Sequence, residues 1–111
     1  MNVEITECGA MKVLRPVGAL KGEDARQFHA QAVRLFDDSL GRCVVDASAI
    51  SYVDSVGLTA LLDASDRMAV RGSSLRLCGL SATVREVLEL TGIAAHFDFF
   101  EDVNSAVRSS L

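Results

Sequence analysis

A strand, a loop and a helix follow one another in the middle of this sequence, and their order limits the folds that the chain can adopt. Residues 42–46 (Arg-Cys-Val-Val-Asp) have the composition of a short buried strand. A second strand is predicted at residues 74–78, so a right-handed crossover would place the two strands parallel with the intervening helix packed across the sheet. That helix is predicted over residues 55–69, where apolar residues recur at the spacing of one helical face, namely Leu58, Leu61, Leu62 and Met68.

The first third of the chain continues this alternation. Strand signals at residues 3–7 and 12–14 are separated by Gly9 and predict an opening hairpin. Pro16 restricts the end of the second strand to an edge or a bulge, because proline cannot donate a ladder hydrogen bond. Residues 18–22 are interpreted as a loop. An amphipathic helix is then predicted over residues 23–37, with an apolar face made of Ala25, Phe28, Ala32, Leu35 and Phe36.

The rest of the chain adds shorter elements. Residues 48–53 are interpreted as the connection into the central helix, and residues 93–99 as a turn or short strand. Further helices are predicted at residues 82–90, with Ser81 as N-cap, and at residues 103–109. We therefore expect one α/β domain over residues 1–111, with a mixed four- to five-stranded sheet packed with about four helices.

The composition excludes several classes of function. A net charge of −4 and a pI near 5.0 argue against a nucleic-acid surface, and the arginines at 67, 71 and 76 are interpreted as a solvated face. No apolar run is long enough to cross a bilayer, so we expect a cytoplasmic protein without direct membrane insertion. Cys8, Cys43 and Cys78 show no metal-ligand spacing, and the last two are expected to pack as small hydrophobes inside strands.

Ser55 is predicted to stand at the start of the central helix, within Asp54-Ser55-Val56-Gly57-Leu58. A helix N-terminus favours a side-chain oxygen or a phosphate, so this turn suits a modifiable switch. Asp54 could orient the serine hydroxyl or cap the helix, and capping suits aspartate intrinsically. Gly57 either permits a close approach by a partner or a nucleotide phosphate, or serves only the turn. Asp46, at the end of its strand, is expected to be structural.

Several stretches carry a family resemblance over nearly the whole chain. They are the turn at residues 54–58, the strand end Val44-Val45-Asp46, residues 75–80, and residues 87–93 with the helix stop at Gly92. In this order they resemble the STAS domain, which is shared by anti-sigma factor antagonists and the cytoplasmic ends of some anion transporters. The resemblance implies an anti-sigma factor antagonist of STAS-like fold, with no cofactor and no metal.

The same resemblance assigns roles to residues. It implies that Ser55 is phosphorylated by an anti-sigma factor that is also a serine kinase, and that phosphorylation releases the antagonist. This is partner switching in transcription control, and it allows for a phosphatase as a further partner. A phosphate would also reshape the potential of the contact surface beside Asp54. The implied partner-binding residues are Asp54, Ser55, Val56, Gly57, Leu20 and Lys21.

One segment departs from the family pattern. Phosphorylated antagonists usually carry an acidic Gly-Glu-Leu/Ile-Asp segment after the second strand, whereas this chain has Gly18-Ala19-Leu20-Lys21. Glu23 and Asp24 follow shortly afterwards and carry negative charge. The departure leaves open an alternative, a constitutive STAS subunit of a transporter or stress-signalling complex that binds through the same face without phosphorylation.

An enzyme is disfavoured by the absence of catalytic motifs. There is no Gly-x-Ser-x-Gly elbow, no P-loop and no zinc spacing, and a triad with Ser55 would need His29 or His96 beside it. Both histidines are expected to be surface or packing residues, so no catalytic residue is assigned. Nucleotide sensing at the helix terminus is the weakest reading, because such a terminus binds many anions.

Overall fold

The structure is a computed structural model that describes residues 1–109. Of the single domain expected over residues 1–111, the last two residues lie outside this range. The elements are β1 (Asn2–Cys8), β2 (Met11–Leu20), α1 (Gly22–Asp38), β3 (Cys43–Asp46), β4 (Ile50–Val53), α2 (Ser55–Val70), β5 (Leu75–Cys78), α3 (Ala82–Leu90), a 3₁₀ turn (Ala94–His96), β6 (Phe97–Phe100) and α4 (Val103–Arg108).

The sheet is mixed, and its described part has six strands. The order is β1-β2-β3-β5-β6, with β4 pairing on β2, and only the β1–β2 hairpin is antiparallel. This confirms the α/β architecture and the parallel β3–β5 pair. The prediction of four to five strands did not include β4. Its two end residues, Ile50 and Val53, are buried, whereas Ser51 and Tyr52 between them are exposed. Such a pattern lacks the alternation that identifies a half-buried strand.

Strand β2 is longer and more central than its sequence indicated. It pairs with β3 through residues 12–14 and with β4 through residues 18–20. Pro16 lies between these two ladders, opposite Val3 of β1, where neither parallel strand pairs with it. The expectation that Pro16 marks the strand end was therefore wrong, as was the interpretation of Gly18, Ala19 and Leu20 as a loop. A proline is tolerated inside a central strand here because the strand changes partner at that point.

The sheet separates two hydrophobic clusters. Val45, Leu75 and Leu77 pack on one side with the buried faces of α1, α2 and α3, which include Phe28, Phe36, Leu61, Met68, Val84 and Leu88. Val44 and Cys78 point to the other side and pack against α4 through Ala106. Neighbouring strand residues thus face opposite layers, as the pleat requires. The expected buried packing of Cys43 and Cys78 is confirmed, and burial raises the pKa of each thiol to about 12.

The helices match their sequence signals closely. The predicted face of α1 is buried except for Leu35, which is partly exposed, and the Ser81 hydroxyl caps α3 by accepting from the Val84 N–H at 3.2 Å. Gly72 and Gly92 follow α2 and α3 with φ of +73° and +78°, the left-handed conformation that commonly follows a helix end. Within residues 1–109, no helix is long and apolar enough to cross a membrane.

Candidate functional site

The Asp54 carboxylate joins the beginnings of two helices. Asp54 is the N-cap of α2, and its Oδ1 accepts from the Gly57 N–H at 2.8 Å. Its Oδ2 accepts from the N–H of Gly22, the first residue of α1, at 3.2 Å. The preceding residue, Lys21, provides no side-chain cap of its own, so Asp54 supplies one for α1. The capping role expected for Asp54 is confirmed, and it extends to a helix that the sequence did not connect with it.

Ser55 is the first residue of α2 and is exposed. Its carbonyl oxygen accepts from the Thr59 hydroxyl at 3.0 Å, which is ordinary bonding within a helix. Among residues 1–109, its own hydroxyl has no hydrogen-bond partner. The hydroxyl is therefore accessible to a reagent or a kinase, at the positive end of the α2 dipole.

Gly57 is buried, and its lack of a side chain serves internal packing. A Cβ at this position would overlap the carbonyl oxygen of Leu20 and lie 2.8 Å from Cγ1 of Val53. The same carbonyl oxygen accepts from the Asp54 N–H at 3.3 Å. The first turn of α2 therefore lies directly against the end of β2, and only glycine fits between them.

Two of the six expected partner-binding residues face the interior. Leu20 is fully buried in the core and Gly57 is buried beneath the turn. Leu20 therefore offers no side chain at this surface and Gly57 has none, so their contact with a partner stays a prediction. The strand–helix packing that hides them was invisible in the sequence, because β2 was predicted to end before Leu20.

The other four lie at the surface around the start of the two helices. Ser55 and Lys21 are exposed, while Asp54 and Val56 are partly exposed. Lys21 and Asp54 line a shallow depression together with Gly22, Glu23 and Asp24. The two acidic residues that follow Gly18-Ala19-Leu20-Lys21 thus line the same depression as Asp54, and Asp24 accepts from the N-terminal ammonium of Met1 at 3.1 Å.

An open groove of about 380 Å³ between α1 and α2 borders Ser55. Arg26 and His29 line it from α1, and Val56, Thr59, Ala60 and Asp63 line it with Ser55 from α2. Arg26 lies outside the apolar face predicted for α1, and nothing in the sequence indicated that this part of the helix meets the serine. Their spacing of three residues puts Arg26 and His29 on one side of α1, yet the pairing of α1 with α2 is a tertiary feature.

The two histidines do not form a catalytic constellation with Ser55. His29 lines the same groove, but within residues 1–109 no hydrogen bond joins its imidazole to the serine hydroxyl or to an orienting carboxylate. His96 lies in the 3₁₀ turn, where its carbonyl oxygen accepts from Ser65, ten residues further along α2 than Ser55. No group of three or more histidine, cysteine, aspartate or glutamate side chains is arranged to hold a metal ion in the described part of the chain.

Comparison with known proteins places this geometry in a family. The model of the STAS domain matches residues 2–106. A protein of Bordetella bronchiseptica named "Putative anti-sigma factor antagonist BtrV" is 27% identical over 97 residues, which is 87% of this chain and 84% of that protein.

Solved structures share the fold at low sequence identity. A structure described as a putative anti-sigma factor antagonist from Thermotoga maritima has a TM-score of 0.86 and 17% identity, covering 96% of this chain and 92% of that one. The Bacillus cell fate determinant SpoIIAA in its phosphorylated form has a TM-score of 0.71 and 17% identity, covering 99% of this chain and 100% of that one. These likenesses establish the α/β fold.

Proposed function

The chain belongs to the STAS domain family, and from this membership we propose that it is an anti-sigma factor antagonist controlled by phosphorylation of Ser55. In the unmodified state it binds an anti-sigma factor that has serine kinase activity, and phosphorylation of Ser55 releases it. This is partner switching in the control of transcription, and a phosphatase would reset it. We place the protein in the cytoplasm, where such partners act.

The observation that carries this proposal is the exposed, unpartnered Ser55 hydroxyl at the first position of α2. Asp54 accepts from the amides of Gly22 and Gly57 and so holds the beginnings of α1 and α2 together beside this serine. The name of the Bordetella relative and the phosphorylated state of the Bacillus structure support the same interpretation. No residue of the site suggests that the chain itself catalyses a reaction.

Release by phosphate has a direct electrostatic reason. A phosphate adds roughly −1.5 to −2 charges at neutral pH. Here it would join the carboxylates of Asp54, Glu23 and Asp24, of which Asp24 is paired with the N-terminal ammonium at 3.1 Å and Glu23 with Arg26 at 3.5 Å. A partner surface that fits the unmodified serine would then face additional negative charge at the point of contact. The contact residues we propose are Lys21, Asp54, Ser55 and Val56, with Leu20 and Gly57 supporting them from below.

Affinity capture from the native cell tests the proposal. The baits are the wild type, Ser55→Ala, Ser55→Asp and a control, Ser74→Asp, whose exposed serine precedes β5 at the opposite end of the sheet. We expect an anti-sigma factor kinase with the wild type, Ser55→Ala and Ser74→Asp, and depletion of it with Ser55→Asp. Mass spectrometry should find phosphate on Ser55 of the wild type.

A different set of partners would replace this proposal. Capture of membrane transport or stress-complex subunits in equal amounts by the wild type and Ser55→Asp, with Ser55 unmodified, would support the constitutive subunit. The replacement of the family's two acidic residues by Ala19 and Lys21 would then have nothing to do with a switch, and Lys21 would remain as a simple contact residue.

A further inference from the structure

We propose that Arg26 of α1 receives the phosphate carried by Ser55, so that the modified protein closes an ion pair across the groove between α1 and α2. The inference rests on the proposed phosphorylation of Ser55 and adds an intramolecular receptor for the phosphate. Arg26 and Ser55 line the same open groove from opposite helices, and the volume of about 380 Å³ leaves room for a phosphate between them.

The present partner of Arg26 is weak enough to be exchanged. Its Nη1 lies 3.5 Å from Oε2 of Glu23, and the two side chains are 65% and 71% exposed. Exposed pairs three residues apart on a helix contribute little to stability. A phosphate offers three acceptor oxygens and nearly twice the charge of a carboxylate, and a guanidinium can bind two of those oxygens at once.

Arg26 is the permanently charged cation among the residues that line the groove, whereas Lys21 lines the neighbouring depression with Asp54. The Asp54 carboxylate is already used by the amides of Gly57 and Gly22, and Asp63 lines the α2 side. Both would repel a phosphate and direct it toward α1. His29 stands one turn beyond Arg26 on the same side of α1, and an imidazole N–H can provide a second donor to the phosphate.

This pairing gives phosphorylation a second effect on the binding face. In the unmodified protein, Arg26 is an exposed cation that an acidic partner can contact. Once the phosphate has bound it, that cation is neutralised at the same moment as negative charge is added beside Asp54. One modification therefore removes an attractive group and introduces a repulsive one.

The second pKa of the phosphate reports the pairing directly. Phosphoserine is installed at position 55 during synthesis by genetic encoding, and the phosphorus NMR signal is followed as a function of pH. The experiment compares the otherwise unmodified sequence with Arg26→Gln and with a control, Arg34→Gln, which lies about 12 Å further along α1 and does not line the groove. All three are also prepared with His29→Gln, because an imidazole titrates in the same pH range as the phosphate.

We expect Arg26→Gln to raise the second pKa of the phosphate by about 0.5 unit, since a nearby cation favours the doubly charged form, and Arg34→Gln to leave it unchanged. Added salt should shrink the difference. Equal pKa values in all three chains would overturn the inference. Because phosphoserine is incorporated by genetic encoding, this result does not depend on a cellular kinase. Finding Ser55 unmodified in the cell would contradict only the proposed function.

Discussion

Gly57 shows how one residue can couple the candidate site to the core. It lies in the first turn of α2, where the carbonyl oxygen of Leu20 occupies the space that a Cβ would need. The sequence left two roles open for this glycine, a close approach by a partner and a requirement of the turn. The structure shows a close approach within the molecule, by a strand end that lies far away in the sequence. Residue type predicted the Asp54 cap, because that bond is local, but it could not predict this contact.

Gly57→Ala should lower the free energy of unfolding by about 1–3 kcal/mol, the usual cost of overpacking a filled site. Alanine would gain up to about 1 kcal/mol of helix propensity, which offsets the loss only in part. Urea unfolding measures the difference. Asp66→Ala, at an exposed position of the same helix, is the control and should change stability by no more than about 0.5 kcal/mol. A Gly57→Ala protein as stable as the wild type would mean that α2 does not press against β2 as described.

At the scale of elements, α1 and α2 are connected at both ends. Asp54 ties their beginnings, and Asp37 near the end of α1 binds Arg67 at 2.7 Å and Arg71 at 2.9 Å. The arginines at 67 and 71 were expected to form a solvated face, but both pair with this one carboxylate. The spacing of four residues placed them together on α2, whereas their acidic partner belongs to another helix and was not predictable from that spacing.

The pair at Asp37 predicts a specific dependence of stability on pH. Hydrogen bonds from Arg67 and Arg71 hold the pKa of Asp37 below its ordinary value of 3.8. The contribution of the pair is therefore fully present above the ordinary pKa and is lost as the pH falls through the lowered value. Asp37→Asn should be less stable than the wild type at neutral pH, and the two should converge in acid.

Thermal unfolding across pH 2–7 checks this expectation at low ionic strength. Asp38→Asn is the matched control, because it also removes a carboxylate from the last turn of α1 but one without an ion pair among residues 1–109. Its effect should be close to zero or stabilising, since a negative charge is unfavourable at a helix C-terminus. A difference between wild type and Asp37→Asn that persists below the lowered pKa would contradict the assignment.

The sequence predicted elements well where the pattern was long and poorly where it was short. Helices α1, α2 and α3 were placed to within about one residue because their apolar faces repeat over several turns. Strand β4 was missed because its four residues show no alternation, and β2 was cut short because Pro16 normally ends a central strand. Both errors lie immediately before the two helices that carry the site, so the burial of Leu20 and Gly57 there was not predicted.

For the molecule as a whole, we propose that one exposed serine, Ser55, controls association with a partner. The protein has a formal net charge of −4, and a phosphate at Ser55 would bring it to about −6. The added charge would lie beside the shared helix cap, within the surface formed by Lys21, Asp54 and Val56. A remote phosphate would change the net charge equally without touching that surface, so position and total charge can be separated.

The most direct test is the affinity of the captured anti-sigma factor for three forms of the protein, measured by calorimetry: the unmodified chain, the chain with phosphoserine at position 55, and the chain with phosphoserine at position 74. We expect phosphate at position 55 to weaken binding at least about tenfold, which corresponds to about 1.4 kcal/mol, and phosphate at position 74 to leave it nearly unchanged. Equal affinities for all three forms, or equal weakening by both phosphates, would contradict the account of Ser55 as the switch.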